Sequence, residues 1–431
     1  MGTTGVRRVA LASSAGNAVE LYDFLLYGTA TALVFDKLFF PSFDPRIATL
    51  LAFATFGAGF LARPLGGVVI GHFGDRIGRR SMLVLTLTAT GVCTALIGLL
   101  PTYSSIGITA PILLVTLRIV QGFFLGGEQG GATLMAVEHA PPGRSAWYGS
   151  WTFLGSPVGL VLANGAMALA TAVSGDAFLE WGWRLPFLFS LVLVGVGLYV
   201  RLSVEESPEF RAVRAEDRAR VPVVEVVRRS WRKLLLGAGV NLGFNMFIFV
   251  IAAFVLSYGT RQLGIPKSLL LNATLVGAAA QAVALLVFAR LSDRVGRLPV
   301  MLGGAAFLGL FALPLFWLLE MRSPVPVFLA LILGFAGSAA LFGPMPAYYA
   351  ELFGTRVRYS GVSLSYQLGA VLGGGLSPLV AQWLLGVTPT HDSWPVSLYL
   401  IAGAMVSALC LLAIGETLRV GSEVDDRARA R

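Results

Sequence analysis

The chain has 431 residues, of which 56% are hydrophobic and 13% charged, and its mean hydropathy is +0.77. Soluble globular domains have about 25% charged residues, so this composition excludes a soluble protein and predicts an integral membrane protein. The net charge of +9 does not indicate a nucleic-acid partner, because in a membrane protein the positions of the cations matter more than their sum. The two cysteines, Cys93 and Cys410, lie in apolar runs, so neither a disulfide framework nor a metal site is predicted.

Twelve apolar segments are long enough to cross a bilayer as helices, which takes about 20 residues each. Glu20 and Asp23 interrupt the first segment, which continues well beyond them and therefore predicts a span rather than a cleaved signal peptide. An all-α integral membrane protein is predicted. In chain order the segments lie near residues 9–35, 47–73, 81–100, 108–137, 146–173, 185–202, 234–259, 269–290, 299–319, 325–350, 359–386 and 395–415.

Positive charge is distributed unevenly between the two sides of the predicted membrane. With both termini in the cytoplasm, 24 of the 32 Lys and Arg residues fall on the cytoplasmic side, nine of them between Arg201 and Lys233, and six fall in outer loops. This asymmetry satisfies the positive-inside rule and supports an even number of spans. The predicted organisation is a six-helix bundle at 1–202, a solvated cytoplasmic linker at 203–233, a second six-helix bundle at 234–416 and a cytoplasmic tail at 417–431.

Two charged loops repeat one pattern at a spacing of 218 residues. GHFGDRIGRR occupies 71–80 and FARLSDRVGRLP occupies 288–299, with Asp75 and Asp293 in register. Each loop lies between two predicted spans, so the sequence predicts a duplicated bundle. Internal duplication of this kind is typical of transporters.

Acidic and basic residues also follow the fourth and tenth spans, and we expect them to form with the loops a salt-bridge latch that breaks when the cytoplasmic side opens. The alternative is that these cations only set the topology. The candidate gating residues are Gly71, Asp75, Arg76, Gly78, Arg79, Arg80, Glu138, Arg144, Asp293, Arg294, Gly296, Arg297, Glu351 and Arg356.

Ionisable residues within a span are functional candidates by default. In the first span, Gly16, Glu20, Asp23 and Tyr27 recur at steps of four, three and four, which places them on one face of a helix. Two carboxyl groups one turn apart in a low dielectric resist double ionisation, so at least one is expected to hold a proton near neutral pH. They are predicted to couple transport to protons or to contact substrate, unless they are structural carboxylates bonded to arginine or backbone amides.

The fourth span contains Arg118, Gln121 and Glu128. Arg118 and Glu128 are about 15 Å apart along a straight helix, too far for a direct pair, so each needs another partner. For Arg118 the candidates are the first-span carboxylates or a substrate carboxylate. In the second span, Arg63 precedes Pro64 and either faces a cavity beside a kink or snorkels to an interface.

The spans of the second half contain neutral polar side chains in place of charges. These side chains are expected either to line a cavity for a hydrogen-bonding solute or to make ordinary interhelical hydrogen bonds. The candidate proton-coupling and substrate residues of both halves are Glu20, Asp23, Tyr27, Arg63, Arg118, Gln121, Glu128, Asn241, Asn245 and Tyr348.

Several motifs resemble a known family. GHFGDRIGRR resembles the signature loop between the second and third spans of the major facilitator superfamily, and RIVQG resembles its fourth-span motif. VELYDFLLYG, FLARPLGGVVIGHFGDRIGRR, LGGEQGGA and EHAPPGR together resemble the metabolite:proton symporter branch, which includes transporters of shikimate, α-ketoglutarate, citrate and proline/betaine. The resemblance spans residues 8–416. Leu21 and Gln129 depart from aromatic positions of the branch, and GSPVG only approximates a fifth-span motif, so the substrate is not transferable.

The resemblance implies twelve transmembrane helices in two pseudo-symmetric six-helix bundles, a central substrate cavity and proton-driven alternating access. The leading hypothesis is import of a small organic acid or zwitterion with protons, by a monomer without a cofactor in the cell membrane. A proton-driven efflux antiporter and a membrane receptor or scaffold are the alternatives. No nucleophile elbow, metal-ligand spacing or phosphate-binding loop is present in the sequence, so an enzyme is not predicted.

Overall fold

The structure is a computed structural model that describes residues 3–202, 222–387 and 392–417. Most of the predicted linker and nearly all of the predicted tail lie outside these residues. The described chain is helical, with short 3-10 and π segments inside several helices. The main helices are α1 (Thr3–Ala30), α2 (Pro45–Ile77), α3 (Arg79–Leu99), α4 (Thr109–Glu138), α5 (Ser145–Phe178), α6 (Arg184–Leu202), α7 (Trp231–Arg261), α8 (Lys267–Val295), α9 (Arg297–Glu320), α10 (Pro324–Leu352), α11 (Thr355–Leu385) and α12 (Trp394–Ile414).

These helices correspond one to one with the twelve predicted spans. Ten of them, α3 to α12, are long and apolar enough to cross a membrane, and Val9–Ala30 with Leu33–Phe39 forms a bent pair that can count as an eleventh span. Helix α2 has 33 residues, which at about 1.5 Å per residue also exceeds the hydrocarbon thickness.

The chain folds into two compact units. Unit 1 comprises Met1–His139, Trp151–Val223 and Thr355–Ser363, and unit 2 comprises Ala140–Ser150, Val224–Gly354 and Leu364–Arg431. Each unit therefore takes in a short segment from the other half of the sequence. The division of the sequence into bundles that end at 202 and begin at 234 stays a prediction.

Close glycine contacts join α2 and α4 in unit 1. A Cβ atom at Gly122 would overlap the backbone of Gly59, and one at Gly126 would overlap the carbonyl of Arg63. Without side chains at these positions the two backbones come into direct contact, as small residues allow in membrane helices. This packing brings Arg63 on α2 close to the fourth-span charges.

An aromatic cluster fixes the rotation of α1 at one end of unit 1. Tyr27, Phe35 and Trp183 belong to a buried core in which Phe35 meets the Tyr27 and Trp183 rings edge to face, with centroid distances of 5.0 and 6.3 Å. The Tyr22 hydroxyl donates to the Pro186 carbonyl at 2.6 Å. Since these contacts hold one face of α1 against α6, they determine where the carboxylates of the same helix point.

Unit 2 packs through similar close contacts between helices. A Cβ atom at Gly277 of α8 would lie 3.0 Å from the carbonyl oxygen of Leu331 in α10. Helix α7 meets α12 where the Ser407 hydroxyl accepts from the Gly243 backbone at 3.0 Å. Described mid-helix contacts in unit 2 are thus made by small and neutral polar residues, in contrast to the charges buried in unit 1.

Candidate functional site

The polar face predicted for α1 is buried in unit 1. Glu20 is 8% exposed, Asp23 1% and Tyr27 0%. The hydroxyl groups of Tyr27 and Thr55 share a hydrogen bond of 2.7 Å. Both oxygens of Asp23 and Oε2 of Glu20 have no hydrogen-bond partner among the described residues. A buried ionised carboxylate without a partner is costly, so this arrangement favours a carboxyl group that holds a proton.

The polar groups beside Asp23 are engaged with one another. The Thr94 hydroxyl, which lies next to Asp23, donates to the Thr90 carbonyl at 3.0 Å and accepts from Gln121 Nε2 at 2.8 Å. Gln121 Oε1 accepts from Arg118 Nη1 at 2.6 Å. Asp23 is therefore flanked by a chain of hydrogen bonds from Arg118 to Thr94 and accepts from none of its members. The direct bond between Arg118 and Asp23 that was one expectation is not formed.

Two arginines approach the same aromatic ring. The Arg118 guanidinium carbon lies 5.2 Å from the ring centroid of Phe24 and 4.1 Å from that of Tyr27. The Arg63 guanidinium carbon lies 4.9 Å from the Phe24 centroid and 4.6 Å from that of Phe60. Arg63 makes no hydrogen bond or ion pair within the described part of the chain. Two guanidinium groups therefore lie around one ring, an arrangement that can bind an anionic group.

Glu128 forms a buried ion pair with Arg201, a residue that the sequence analysis counted with the cytoplasmic cations. Arg201 is only 5% exposed and its Nη2 contacts Glu128 Oε1, so its side chain is buried against α4. Arg201 Nη1 donates to the Leu83 carbonyl, and the Thr86 hydroxyl donates to Glu128 Oε2. Arg201 is the last charged residue of α6, and its long side chain turns back into the bundle. The partner that Glu128 was expected to need is therefore on α6.

The polar candidates of the second half donate hydrogen bonds to backbone carbonyls, two of them to another helix and one within α7. Asn241 Nδ2 donates to the Tyr366 carbonyl at 3.1 Å, and Asn245 Nδ2 donates to the Asn241 carbonyl at 2.8 Å. The Tyr348 hydroxyl donates to the Gly415 carbonyl at 3.1 Å, at the end of α12. The contacts of Asn241 and Tyr348 are interhelical hydrogen bonds, whereas that of Asn245 stays within its own helix; a role of these residues in binding substrate stays a prediction.

In unit 1 the aspartate of the first charged loop holds the start of a helical segment. Asp75 Oδ1 accepts from the Tyr359 amide at 3.0 Å, and Oδ2 accepts from the Ser360 amide at 2.9 Å and its hydroxyl at 2.8 Å. Both amides lie in the first turn of the helix Arg358–Gly369, where backbone N–H groups lack partners of their own. Gly71 allows the approach, since a Cβ atom there would lie 2.9 Å from the Ser360 Cα.

A second contact in unit 1 joins two arginines to one carboxylate. Glu138 Oε2 pairs with Arg79, and Glu138 Oε1 pairs with Arg358 Nη1 at 2.9 Å. Arg79 and Glu138 are fully buried as side chains. The expected acid–base contact is thus present, but its basic members are Arg79 and Arg358. The side chain of Arg144 is exposed and makes no ion pair within the described residues.

Unit 2 repeats the arrangement around the second charged loop. Asp293 Oδ1 accepts from the Ala146 amide at 3.1 Å and Oδ2 from the Trp147 amide at 2.9 Å. Arg297 pairs with Asp293 at 2.7 Å and with Glu351 at 3.2 Å. Each loop aspartate therefore accepts two backbone amides from a segment that lies far away in sequence but in the same unit.

Both loops turn at a glycine whose positive φ is a backbone conformation that residues with a side chain rarely adopt. Gly78 has φ +127° and ψ 150°, and Gly296 has φ +104° and ψ 159°. Residues that correspond in the 218-residue repeat thus also share a backbone conformation. Beyond Gly296, the Glu416 carboxylate accepts from the amides of Arg297 at 3.0 Å and Leu298 at 2.9 Å. Arg76, Arg294 and Arg356 are exposed, and Arg80 Nη2 donates to the Leu202 carbonyl at 2.6 Å.

Comparison with known protein families identifies the family of this chain. The family profile described as Major Facilitator Superfamily matches residues 25–366 and 253–429. The chain belongs to the Major Facilitator Superfamily. The predicted fold class, twelve transmembrane helices in the major facilitator fold, is confirmed, and the protein is a multi-pass membrane transporter and not an enzyme.

Curated relatives within the superfamily span nearly the whole chain. A shikimate transporter of Escherichia coli (strain K12) is 44% identical over 419 residues, covering 96% of this chain and 95% of that protein. A proline/betaine transporter of the same strain is 34% identical over 426 residues, covering 96% and 84%. A solved proton:xylose symporter bound to 6-bromo-6-deoxy-D-glucose matches with a TM-score of 0.78 at 16% identity over 97% of both chains, a likeness of fold alone.

Several residues of this major facilitator site were not selected from the sequence. Arg201, Thr86, Ser360 and Glu416 all contact a predicted site residue. Arg201 could have been selected from the sequence, because it lies in the last turn of the apolar segment 185–202, although its charge was counted with the loop that follows. The other three are common polar residues that tertiary packing alone selects. No group of three or more potential metal-ligating side chains occurs in residues 3–202, 222–387 and 392–417.

Proposed function

We propose that the protein is a proton-coupled symporter that imports a small organic acid or zwitterionic metabolite by alternating access. The observation that supports this most directly is Asp23, which is 1% exposed and accepts no hydrogen bond within the described residues, beside two arginines that meet on the Phe24 ring. The membrane is proposed to be the cell membrane, with both termini in the cytoplasm, and the transporter is proposed to act as a monomer.

The arginines favour an anionic group on the substrate. The Arg63 guanidinium is half-buried, stacks on aromatic rings and has no carboxylate partner in the described chain. A guanidinium in such a setting gains from a carboxylate that offers two oxygens to its N–H groups. A substrate carboxylate would provide this pair without requiring a further acidic residue. The names of the relatives above are consistent with this class, since shikimate is an organic acid and proline and betaine are zwitterions.

The carboxyl groups favour proton coupling. Asp23, with no hydrogen-bond partner in the described chain, and Glu20, with one buried oxygen lacking a partner, can stay buried only when most of their negative charge is neutralised, either by a proton or by an approaching cation. A bound proton is released when the site opens to water and the carboxylate is hydrated. Binding of an anionic substrate near Arg63 and Arg118 would add negative charge and so favour protonation of Asp23. Substrate and proton would then bind together, which is the requirement for symport.

The loop contacts are proposed as the latch of the conformational cycle. Asp75 and Asp293 each hold backbone amides of a distant segment, and Glu138 and Glu351 add ion pairs to arginines. Such clusters have two discrete arrangements, made or broken, and are suited to a switching element. Gly71 permits the close approach to Ser360 that the closed latch needs, and Gly78 and Gly296 permit the backbone turns of the two loops.

Uptake into proteoliposomes tests this function. Labelled shikimate, α-ketoglutarate, citrate, proline and betaine would each be offered with an inward proton gradient, without a gradient, and with a protonophore. We expect accumulation of at least one organic acid or zwitterion that disappears in the last two conditions. Gradient-driven loss of preloaded substrate would favour the efflux antiporter instead, and the absence of gradient-dependent flux for all five would exclude the proposed symport of these compounds.

A further inference from the structure

The ion pair between Glu128 and Arg201 lies against the proton-coupling face of α1 and has no place in the proposed function so far. The Arg201 guanidinium packs on Gly16, where a Cβ atom would lie only 2.8 Å from Nε and Cζ. Gly16 is about one helical turn from Glu20 on the same face, a rise of about 6 Å for four residues. The absence of a side chain at position 16 is what allows this cation to reach the helix that bears Glu20.

The pair is held so firmly that it acts as a fixed pair of charges. Both carboxylate oxygens of Glu128 have partners, one in Arg201 and one in the Thr86 hydroxyl, and Arg201 also donates to the Leu83 carbonyl. Separating a buried pair of this kind leaves an uncompensated charge, which costs far more than keeping it. Glu20, by contrast, has a buried oxygen without a partner. Of these three groups, Glu20 is therefore the one with a buried oxygen that no donor in the described chain contacts.

Charged and polar groups on four helices act on Glu20. Asn17 and Asp23 lie on α1 itself, Arg63 approaches from α2, and Glu128 and Arg201 approach from α4 and α6. Opposite charges at comparable distance partly cancel at a third site, whereas one of them alone does not. The Tyr359 hydroxyl, which donates to the Gly127 carbonyl at 2.9 Å, adds no formal charge.

We propose that Glu128 and Arg201 are positioning residues that set the pH range in which Glu20 binds and releases its proton. The proposal rests on the proton-coupled transport proposed above. Glu128 alone would make Glu20 hold its proton to higher pH, and Arg201 alone would make it release the proton at lower pH. Together they keep the transition within the range where a cellular gradient can drive it.

Single and paired substitutions separate the two charges. Glu128→Gln leaves Arg201 unopposed, and Arg201→Gln leaves Glu128 unopposed, so the two variants should shift the titration of Glu20 in opposite directions. In an effective dielectric constant of about 20, a unit charge on the order of 10 Å away changes a proton affinity by about one pH unit, so shifts of that order are expected. The double variant, which removes both charges, should titrate close to wild type, and so should Arg201→Lys, which keeps the cation.

The readout is an infrared pH titration of the purified protein in lipid nanodiscs, following the carboxyl C=O band that is lost in Glu20→Gln. Arg184→Gln is the matched control, because Arg184 is a partly buried arginine at the opposite end of α6 that donates to the Gly98 and Leu100 carbonyls, both at 2.7 Å. It should leave the band unshifted. If Arg201→Gln does not fold, Glu128→Gln still tests the direction of the shift.

Opposite shifts of the two single variants, cancelled in the double variant, would support the proposal. Shifts in the same direction, or no shift in Glu128→Gln, would overturn it, because a purely structural role predicts no dependence on the sign of the removed charge. This outcome is separate from that of the uptake assay. Opposite infrared shifts without gradient-driven uptake would contradict the proposed symport and leave the electrostatic role of the pair standing.

Discussion

Release of the segment Thr355–Ser363 from the rest of unit 1 is the step that Asp75 is expected to control. Asp75→Ala removes the acceptor of two backbone amides and one hydroxyl, at distances between 2.8 and 3.0 Å. A buried amide left without an acceptor costs about 1–3 kcal/mol, so two such amides cost about 2–6 kcal/mol. Removing the carboxylate also removes the cost of burying its charge, so the lower end, about 2 kcal/mol, is expected. The population of the released state should then rise about 30-fold, since about 1.4 kcal/mol corresponds to a factor of ten.

Thiol labelling at position 363 measures that population. Ser363 is fully buried, and its hydroxyl has no hydrogen-bond partner among the described residues, so Ser363→Cys should be tolerated. The native thiols would first be removed as Cys93→Ser and Cys410→Ser. When opening is fast and labelling slow, the rate of maleimide reaction is proportional to the released fraction. We expect labelling about 30-fold faster with Asp75→Ala, and an intermediate rate with Asp75→Asn, which keeps one acceptor oxygen.

Asp176→Ala is the control for this experiment. Asp176 is exposed in the short helical segment Gly175–Phe178 and makes no hydrogen bond or ion pair within the described residues. Its replacement should leave the labelling rate unchanged. If Asp75→Ala labels at the control rate, the carboxylate does not hold the segment and the proposed latch in unit 1 is wrong.

Three further outcomes are expected. Gly78 and Gly296, at φ +127° and +104°, lie in a backbone region that is almost restricted to glycine, so Gly78→Ala and Gly296→Ala should each lower the free energy of unfolding by about 1–3 kcal/mol in thermal denaturation. Gly195→Ala, with open space around its Cβ, should leave the free energy of unfolding unchanged. Gly126→Ala meets the Arg63 carbonyl and should reduce the yield of folded protein, whereas Gly303→Ala meets nothing within 4 Å and should match wild type. Arg63→Gln should raise KM for an organic acid about 10- to 100-fold through loss of a charged hydrogen-bond donor, and an unchanged KM for every transported acid would rule out Arg63 as a substrate ligand.

The repeated loop is the part of the site that the sequence predicts most fully. Asp75 and Asp293, like Gly78 and Gly296, were paired by their 218-residue spacing alone, and the structure gives each pair the same hydrogen-bond role or backbone conformation. The repeat can be detected in the sequence because corresponding positions of the two loops have the same structural role and therefore need the same residue type. The transmembrane segments can also be detected in the sequence, since the lipid environment requires every span to be about 20 predominantly apolar residues long.

The partners of the charged residues could not be predicted in the same way. Asp75 contacts Ser360 across 285 positions, and no periodicity relates residues that tertiary packing alone brings together. Arg201 was not recognised as the partner of Glu128, because counting cations by segment does not tell which way a side chain at a helix end turns. The contact of Arg118 with Gln121 was within reach, because residues three apart are neighbours on a helix surface.

The most direct test of the central claim compares two fluxes in Asp23→Asn. Asparagine keeps the size of the buried side chain and cannot exchange a proton. We predict that gradient-driven accumulation of the transported substrate is lost, while exchange of labelled for unlabelled substrate across the membrane without a gradient persists. Accumulation at the wild-type level in Asp23→Asn would contradict proton coupling through this carboxyl group.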